Sequence, residues 1–428
     1  MKKNKFRKFL KSLGALGFIS FCFPLFCNSI IQLRHSQNKI ISVVDTSLNG
    51  SQKYVLRVDG KPFYMTNIQI RLDKLRYYWG WNAMAREAIV AQAAMDGFNT
   101  VSIPIHWYEV ETSRDNFDWS ILDEYLGLAE KYKLKMELLW FGQNSGGHVQ
   151  WLGNPDTNPV HLRTPDYVLY SPKPGSAATT SDYRIRRDIS DYTLDLEDNN
   201  LREREKYVLE KVMSHIARWD ADHGYAHTLI GIQLNNEVRG MRIPFSNACV
   251  LSYMSDLATA IKESNYVVWT RLNCVYVDLE ARIADNEKMR LNYGTNIDFV
   301  GVDSYRHHFN SDQSYIESMR TNIPYKNKNY RMIMEIGAEV SNIAQLQLAA
   351  LSGNNAFDYY DMCGPDGHGL YDKKDVDRFV PHGEYIGDVR LVNKILNSDI
   401  VDIALNANGH GLFVHNWEGI KTVPTKGV

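Results

Sequence analysis

The fold this sequence predicts is a (β/α)8 TIM barrel, in which eight parallel strands are each followed by a helix. Three observations carry that expectation. Eight short β-rich runs lie between Phe63 and Asp361, with amphipathic helical stretches recurring between them. The runs are nearly continuous in apolar residues, as strands covered on both faces must be. The first run holds Thr66-Asn67-Ile68-Gln69 where a doubly wound open sheet would place a glycine-rich phosphate turn.

Taken in order, the elements begin with a hairpin. Ile41, Val43 and Val44 are followed by the turn Leu48-Asn49-Gly50-Ser51 and by Tyr54, Leu56 and Val58 in alternation. The first barrel run is Phe63 to Arg71, and Ala83 to Met95 reads as its helix with Asn82 as N-cap. The second run is Thr100 to Trp107. Its helix starts near Ser120 and places Leu122, Tyr125, Leu126 and Ala129 on one face. The third run is Lys135 to Phe141, followed by a long Gly-, Pro- and Ser-rich loop to about Asn200 and a helix facing inward through Val208, Val212, Ile216 and Trp219. The fourth is Thr228 to Glu237, with its helix at Cys249 to Glu263. The fifth to eighth are Tyr266–Asn273, Asp298–Tyr305, Tyr330–Glu335 and Ala356–Asp361. The hairpin and barrel together occupy 40–380. Residues 381–428 form a small extension with one helical stretch, Asp388 to Leu396, and two β-like runs that could open a further β-domain.

The N-terminus differs in kind. Lys2, Lys3, Lys5, Arg7, Lys8 and Lys11 precede an apolar stretch from Leu13 to Phe26. That arrangement predicts a signal peptide over 1–29 and an exported protein, periplasmic or secreted, with no integral span once the signal is removed. Cys27 as a lipidated anchor is the alternative. The other cysteines, Cys249, Cys274 and Cys363, are too sparse for a disulfide framework or a metal site.

Composition narrows the function. A formal net charge of −2, with acids and bases mixed along 428 residues, argues against a nucleic-acid partner. There is no His-Glu-x-x-His pattern and no phosphate cradle, so neither a metal nor another cofactor is expected. No feature speaks to oligomeric state.

Barrel enzymes carry their chemistry at the C-terminal ends of strands. Those ends here include Arg71, Trp107, Trp140, Asn236, Glu237, Asn273, Tyr305, Glu335 and Asp361. Glu237 closes the apolar run Leu229–Leu234 through Asn235-Asn236, and Glu335 closes Arg331-Met332-Ile333-Met334. Two carboxyl groups facing each other across a barrel mouth are what glycoside hydrolysis needs, one as proton donor and one as nucleophile. A structural ion pair with Arg71 or Arg239 is the plainer reading of either glutamate. Trp107 and Trp140 are candidate stacking platforms for a sugar ring.

Asn236-Glu237 after an apolar strand resembles the strand-four signature of the clan A glycoside hydrolases, and Glu335 resembles their strand-seven nucleophile. Gly97-Phe98-Asn99-Thr100-Val101 through Trp107 and Glu109, Phe117-Asp118, Gly146-Gly147 with Trp151-Leu152, and Ile230 to Glu237 resemble family 35 β-galactosidases, and family 42 shares much of the pattern. The resemblance implies that Glu237 is the acid/base and Glu335 the nucleophile. It also implies that Asn236 binds the sugar 2-hydroxyl, that Tyr305 donates to Glu335, and that Arg71 supports the same carboxylate. The sequence departs from the family in having Asn235 in place of the usual first glutamate, and in the residues around Glu335. The function expected is that of a retaining β-glycosidase acting on an oligo- or polysaccharide. An endo-acting β-glycanase and a catalytically silent carbohydrate-binding barrel are the alternatives.

Overall fold

The computed structural model describes residues 39–45, 55–142, 193–237, 247–273, 296–321, 332–338, 356–364, 368–375, 378–383 and 386–397, with a few shorter pieces between them. The signal segment, Cys27, Arg239, Cys274, Glu339, the hairpin turn at 48–51, most of the 142–200 loop and the β-like runs after 400 lie outside the described residues.

From Ile40 onward the chain forms one unit. A three-stranded antiparallel sheet comes first, β1 (Ser42–Asp45), β2 (Val55–Val58) and β3 (Lys61–Pro62). Val44 opposes Leu56 in it, the hairpin pairing that the alternation predicts. The barrel strands follow: β4 (Asn67–Gln69), β5 (Thr100–His106), β6 (Lys135–Phe141), β7 (Leu229–Leu234) and β8 (Trp269–Leu272). Then come β9 (Phe299–Val300 and, past Gly301, Val302–Ser304), β10 (Met332–Ile336) and β11 (Ala356–Tyr359). Every pairing among them is parallel. The sheet order begins on the first half of β9 and ends on its second half, so the sheet closes on itself. This is the eight-stranded barrel the sequence predicts.

The helices expected from periodicity form, and two unexpected ones, Leu72–Tyr77 and Asp312–Thr321, join them. The first is α1 (Leu72–Tyr77). Next, α2 (Ala83–Met95) is capped by the Asn82 side chain, which accepts from the Ala85 N–H at 2.9 Å. In α3 (Ser120–Lys131), Leu122, Tyr125, Leu126 and Ala129 are buried, and α4 (Asn199–Asp222) buries Val208, Val212, Ile216 and Trp219. α5 (Asn247–Lys262) follows β7, α6 (Asp312–Thr321) follows β9, and α7 (Ile386–Leu396) comes last. The stretch assigned to a C-terminal extension therefore holds a helix that packs on the barrel. Arg390 binds Asp96 at 2.7 Å, and the Asn393 and Asn397 amides donate to the Asp96 and Gly97 carbonyls.

The barrel interior is layered. At the N-terminal end Val44, Leu56 and Val58 of the small sheet pack against Met65, Ile230, Trp269, Phe299, Met332, Met334 and Ala356, so the hairpin plugs the bottom. Gly231 makes room for Trp269: a Cβ there would lie 1.9 Å from the indole nitrogen. That nitrogen donates to Glu137 at 3.1 Å. Glu137 belongs to a fully buried charged group with Arg271 at 2.6 Å, and Asp358 lies 3.2 Å from the same guanidinium. Ser102 donates to Glu137 at 3.0 Å, and Asn67 donates to Ser102 at 2.6 Å.

Candidate active site

The C-terminal mouth of the barrel collects the residues expected there. β7 ends in Leu234, and the three residues after it take an unusual path: Asn235 and Glu237 both have left-handed backbones, with φ of +59° and +46°. Such a conformation costs a non-glycine residue about 1–3 kcal/mol and persists where surrounding contacts fix it. Those contacts are visible on both sides. Asn235 turns toward the helices, accepting from the Gly142 N–H at 2.8 Å and donating to Glu205 of α4 at 3.3 Å. The Glu237 N–H donates to the Asn273 side-chain oxygen at 2.8 Å. Asn235 thus anchors the strand end against α4, which gives a structural reason for an amide where the family 35 pattern has a carboxylate.

Asn236 lies between these two. Its oxygen accepts from Asn273 at 3.2 Å and from Gln233 at 3.5 Å, which turns its NH2 toward Glu237 Oε2 at 3.4 Å. Across the mouth, Glu335 sits near the end of β10, in register with Asp303 of β9. The Tyr305 hydroxyl donates to its Oε2, and the Gln69 amide approaches its Oε1 at 3.4 Å. Burial pushes the Glu335 carboxyl up to about 7, and the nearby charge of Glu237 pushes the same way. Tyr305, Arg71 and Gln69 act against both. Burial, with Glu335 next, raises the Tyr305 phenol well above its ordinary range, so it remains a proton donor.

Arg71 is buried beside this pair, but its hydrogen bonds go to Asp73, at 2.9 and 2.6 Å. Burial opposes ionisation of Asp73, yet Arg71 and His106 outweigh it and hold the carboxyl well below its usual range. Arg71 consequently acts on Glu335 through its field. Around Tyr305 lie His368, His307, Tyr360 and His308, with ring centroids 5.1, 5.7, 5.9 and 6.1 Å away. Lys74, itself buried, donates to the Tyr360 hydroxyl.

Trp107 and Trp140 are corrected by the structure. Both are 0 % exposed. Trp107 donates to Glu111 at 2.8 Å and Trp140 to Glu205 at 2.9 Å, so the polar edge of each ring is spent inside the wall. Neither presents a face on which a sugar could stack. Glu109 and Glu111 are buried too. Glu109 accepts from Tyr77 and from the His106 N–H, and Glu111 from Trp107 and Tyr167. The residues that sequence reasoning missed are Gln69, Gln233 and Asp303, and it named Asn273 without giving it a task. Their signal was faint: polar side chains at or near the C-terminal ends of apolar strands.

Among the described residues no group of three or more His, Cys, Asp or Glu side chains is arranged to hold a metal ion, and no helix is long and apolar enough to cross a membrane.

No protein-family model and no curated protein matches the chain, so the resemblance to families 35 and 42 gains no support from either comparison. Solved structures do match. One is the exo-beta-1,4-mannosidase Op5Man5 from Opitutaceae bacterium strain TAV5, at a TM-score of 0.54 and 14 % identity over 82 % of this chain. The chain spans 62 % of that structure's length. The likeness lies in the fold: this chain is similar to a glycosidase barrel and departs widely from it in sequence.

Proposed function

We propose that this chain is an exported retaining β-glycosidase of the clan A type, with Glu335 as nucleophile and Glu237 as general acid/base. The observation that carries the reading is the pairing at the mouth. Two buried glutamates, one just past β7 and one on β10, lie at the mouth, and Glu335 is gripped by a tyrosine hydroxyl while the charge of Glu237 acts on it. Double displacement needs one carboxylate that attacks and one carboxylic acid that protonates the leaving oxygen. The environments differ in that sense. Glu335 is served by donors that favour its anion, whereas Glu237 sits at a strained strand end with its backbone N–H held by Asn273. In the first step the Glu335 carboxylate attacks the anomeric carbon as Glu237 hands its proton to the departing oxygen. In the second, Glu237 takes a proton from water, which displaces Glu335. The Asn236 NH2, beside the acid, is available for the sugar 2-hydroxyl.

The neighbour's name, an exo-acting β-mannosidase, supports a β-linked hexoside as substrate and action at a chain end. The galactoside reading rests on the sequence resemblance alone. The test is a panel of 4-nitrophenyl β-glycosides, manno, gluco and galacto, with the mature protein and Glu335→Ala. Release from one glycone is expected, falling by about four orders of magnitude in the variant. Azide should restore it with formation of the α-glycosyl azide. Wild-type turnover in Glu335→Ala would reject the assignment. A wild type silent on the panel but active on a β-glycan polymer would favour the endo-acting alternative.

A further inference from the structure

We propose that Asn273 is a positioning residue that sets the acid/base Glu237, an inference that rests on the reading of Glu237 given above. Asn273 follows β8 and is itself buried, 1 % exposed. Its amide is used at both ends. The oxygen accepts the Glu237 N–H at 2.8 Å, while the NH2 donates to Asn236 at 3.2 Å and to Asp303 at 3.0 Å. The backbone N–H can only donate, which fixes the orientation of the Asn273 amide. The same logic then fixes Asn236. Its oxygen is taken by Asn273 and Gln233, so its NH2 must face Glu237.

Three consequences meet in this one side chain. It holds the peptide of a residue whose φ is +46°, and so the direction in which the Glu237 carboxyl leaves the strand. It sets the rotamer of Asn236. Through Asp303 it also ties the tip of β7 to β9, the strand that leads into Tyr305 and so to Glu335. Hydrophobic packing could fill the same space, but it could not supply an acceptor and two donors in these directions. Asn273 need not touch substrate to matter: proton transfer depends steeply on the placement of the acid.

The experiment compares Asn273→Ala, Asn273→Asp and Glu237→Ala on two aryl β-glycosides of the responsive glycone, one with a 2,4-dinitrophenolate and one with a phenolate leaving group. Acid assistance matters for phenolate and hardly for dinitrophenolate. For Asn273→Ala, kcat/KM should fall at least 30-fold on the phenyl glycoside and less than 5-fold on the dinitrophenyl one, a weaker form of the Glu237→Ala pattern. Asn273→Asp keeps the acceptor for the Glu237 N–H but sets a carboxylate oxygen against Asp303 and the Asn236 oxygen where the NH2 donated, so it should not recover the phenyl loss, and wild-type values in it overturn the proposal. Equal losses on both substrates, or wild-type values on both, overturn the proposal. A crystal structure of Asn273→Ala gives a reading free of activity: the Glu237 carboxyl should move by more than about 1 Å, and an unmoved carboxyl overturns the proposal as well. If Glu237→Ala itself behaves as wild type, it is the glycosidase assignment of Glu237 that fails.

Discussion

Glu137 and Asp358 in the middle of the barrel share one guanidinium, that of Arg271, whereas Glu335 at the mouth is held by a phenol and an amide. In the middle layer burial works against the charge on Arg271, and Glu137 and Asp358 overcome it, raising the arginine further. Burial pushes Asp358 well above the usual carboxylate range against the pull of the same arginine. At the mouth the positive charge that Glu335 feels belongs to Arg71, whose guanidinium is committed to Asp73. Burial and Glu237 both act against ionisation of Glu335 there, and the neighbouring donors only partly compensate. A buried carboxylate with its own cation is a structural element, and one held by neutral donors is poised to gain or lose charge.

The sharpest way to break this contrast is to remove the cation of the middle layer. Arg271→Met should cost about 3–5 kcal/mol of unfolding free energy, because it leaves the buried Glu137 and Asp358 carboxyls without the guanidinium between them. Urea denaturation followed by circular dichroism measures it. A variant as stable as the wild type would mean that the middle layer is not held together by its charge.

The second test acts on the mouth, where removing charge should stabilise. A carboxyl whose folded value lies near 7, above its ordinary 4.5, binds its proton more tightly in the folded state. Below about pH 4.5 both states hold the proton and the group contributes nothing. Between 4.5 and 7 the folded state loses stability as pH rises, and above 7 the full penalty is present. Its size is about 3 kcal/mol, from the value of one pKa unit. Glu335→Gln should therefore match the wild type in thermal stability near pH 4.5 and exceed it increasingly up to about pH 7. A gap that stays constant with pH would show that Glu335 is not strained in its charged form.

Much of this arrangement was legible in the sequence, and the reasons it was differ by level. The helix faces of α3 and α4 followed from spacing alone, because apolar residues recurring at a 3.6-residue period line up into one stripe only when the chain is helical. The strands followed from apolar runs, and Tyr305 and Glu335 from lying at the ends of two of them. The tryptophans misled because a residue at a strand end can turn inward to the pocket or outward to the helices. Trp107 and Trp140 meet carboxylates at Glu111 and Glu205, near which α4 supplies Arg204 and Glu205 itself, far along the chain. Asn235 is decided the same way, by Glu205. Alternation says that neighbours face opposite sides, but after the left-handed residues at 235 and 237 the alternation no longer applies. The carboxylate layer around Arg271 was invisible for a different cause: each member is one polar residue inside an apolar run, and only closure of the barrel brings them together.

Tyr305→Phe sharpens the contrast at the scale of a single hydrogen bond. The phenol favours the Glu335 anion, so its loss should lift the carboxyl further above 7. On the proposed reading Glu335 attacks as its anion, so the acidic limb of the kcat/KM profile should move to higher pH by about one unit. The plateau should fall by about 10- to 100-fold, as charge-assisted hydrogen bonds are worth about 1.5–3 kcal/mol. A lower plateau with an unmoved limb would assign Tyr305 to substrate binding instead.

The smallest effect belongs to the wall. Trp140→Phe keeps an aromatic ring in place but removes the N–H that Glu205 accepts at 2.9 Å. Tyr253 still donates to Glu205 at 2.7 Å and Asn235 at 3.3 Å, so the carboxylate retains partners. The expected cost is about 0.5–1.5 kcal/mol of stability, the net range for one ordinary hydrogen bond, with KM unchanged within about twofold. A ring that stacked on substrate would respond in the opposite manner, since phenylalanine offers a smaller face while making no demand on Glu205. KM would then rise about tenfold with the melting temperature intact. Measuring both quantities on the same variant decides whether Trp140 belongs with the interior or with the mouth, and its complete burial beside Glu205 assigns it to the interior.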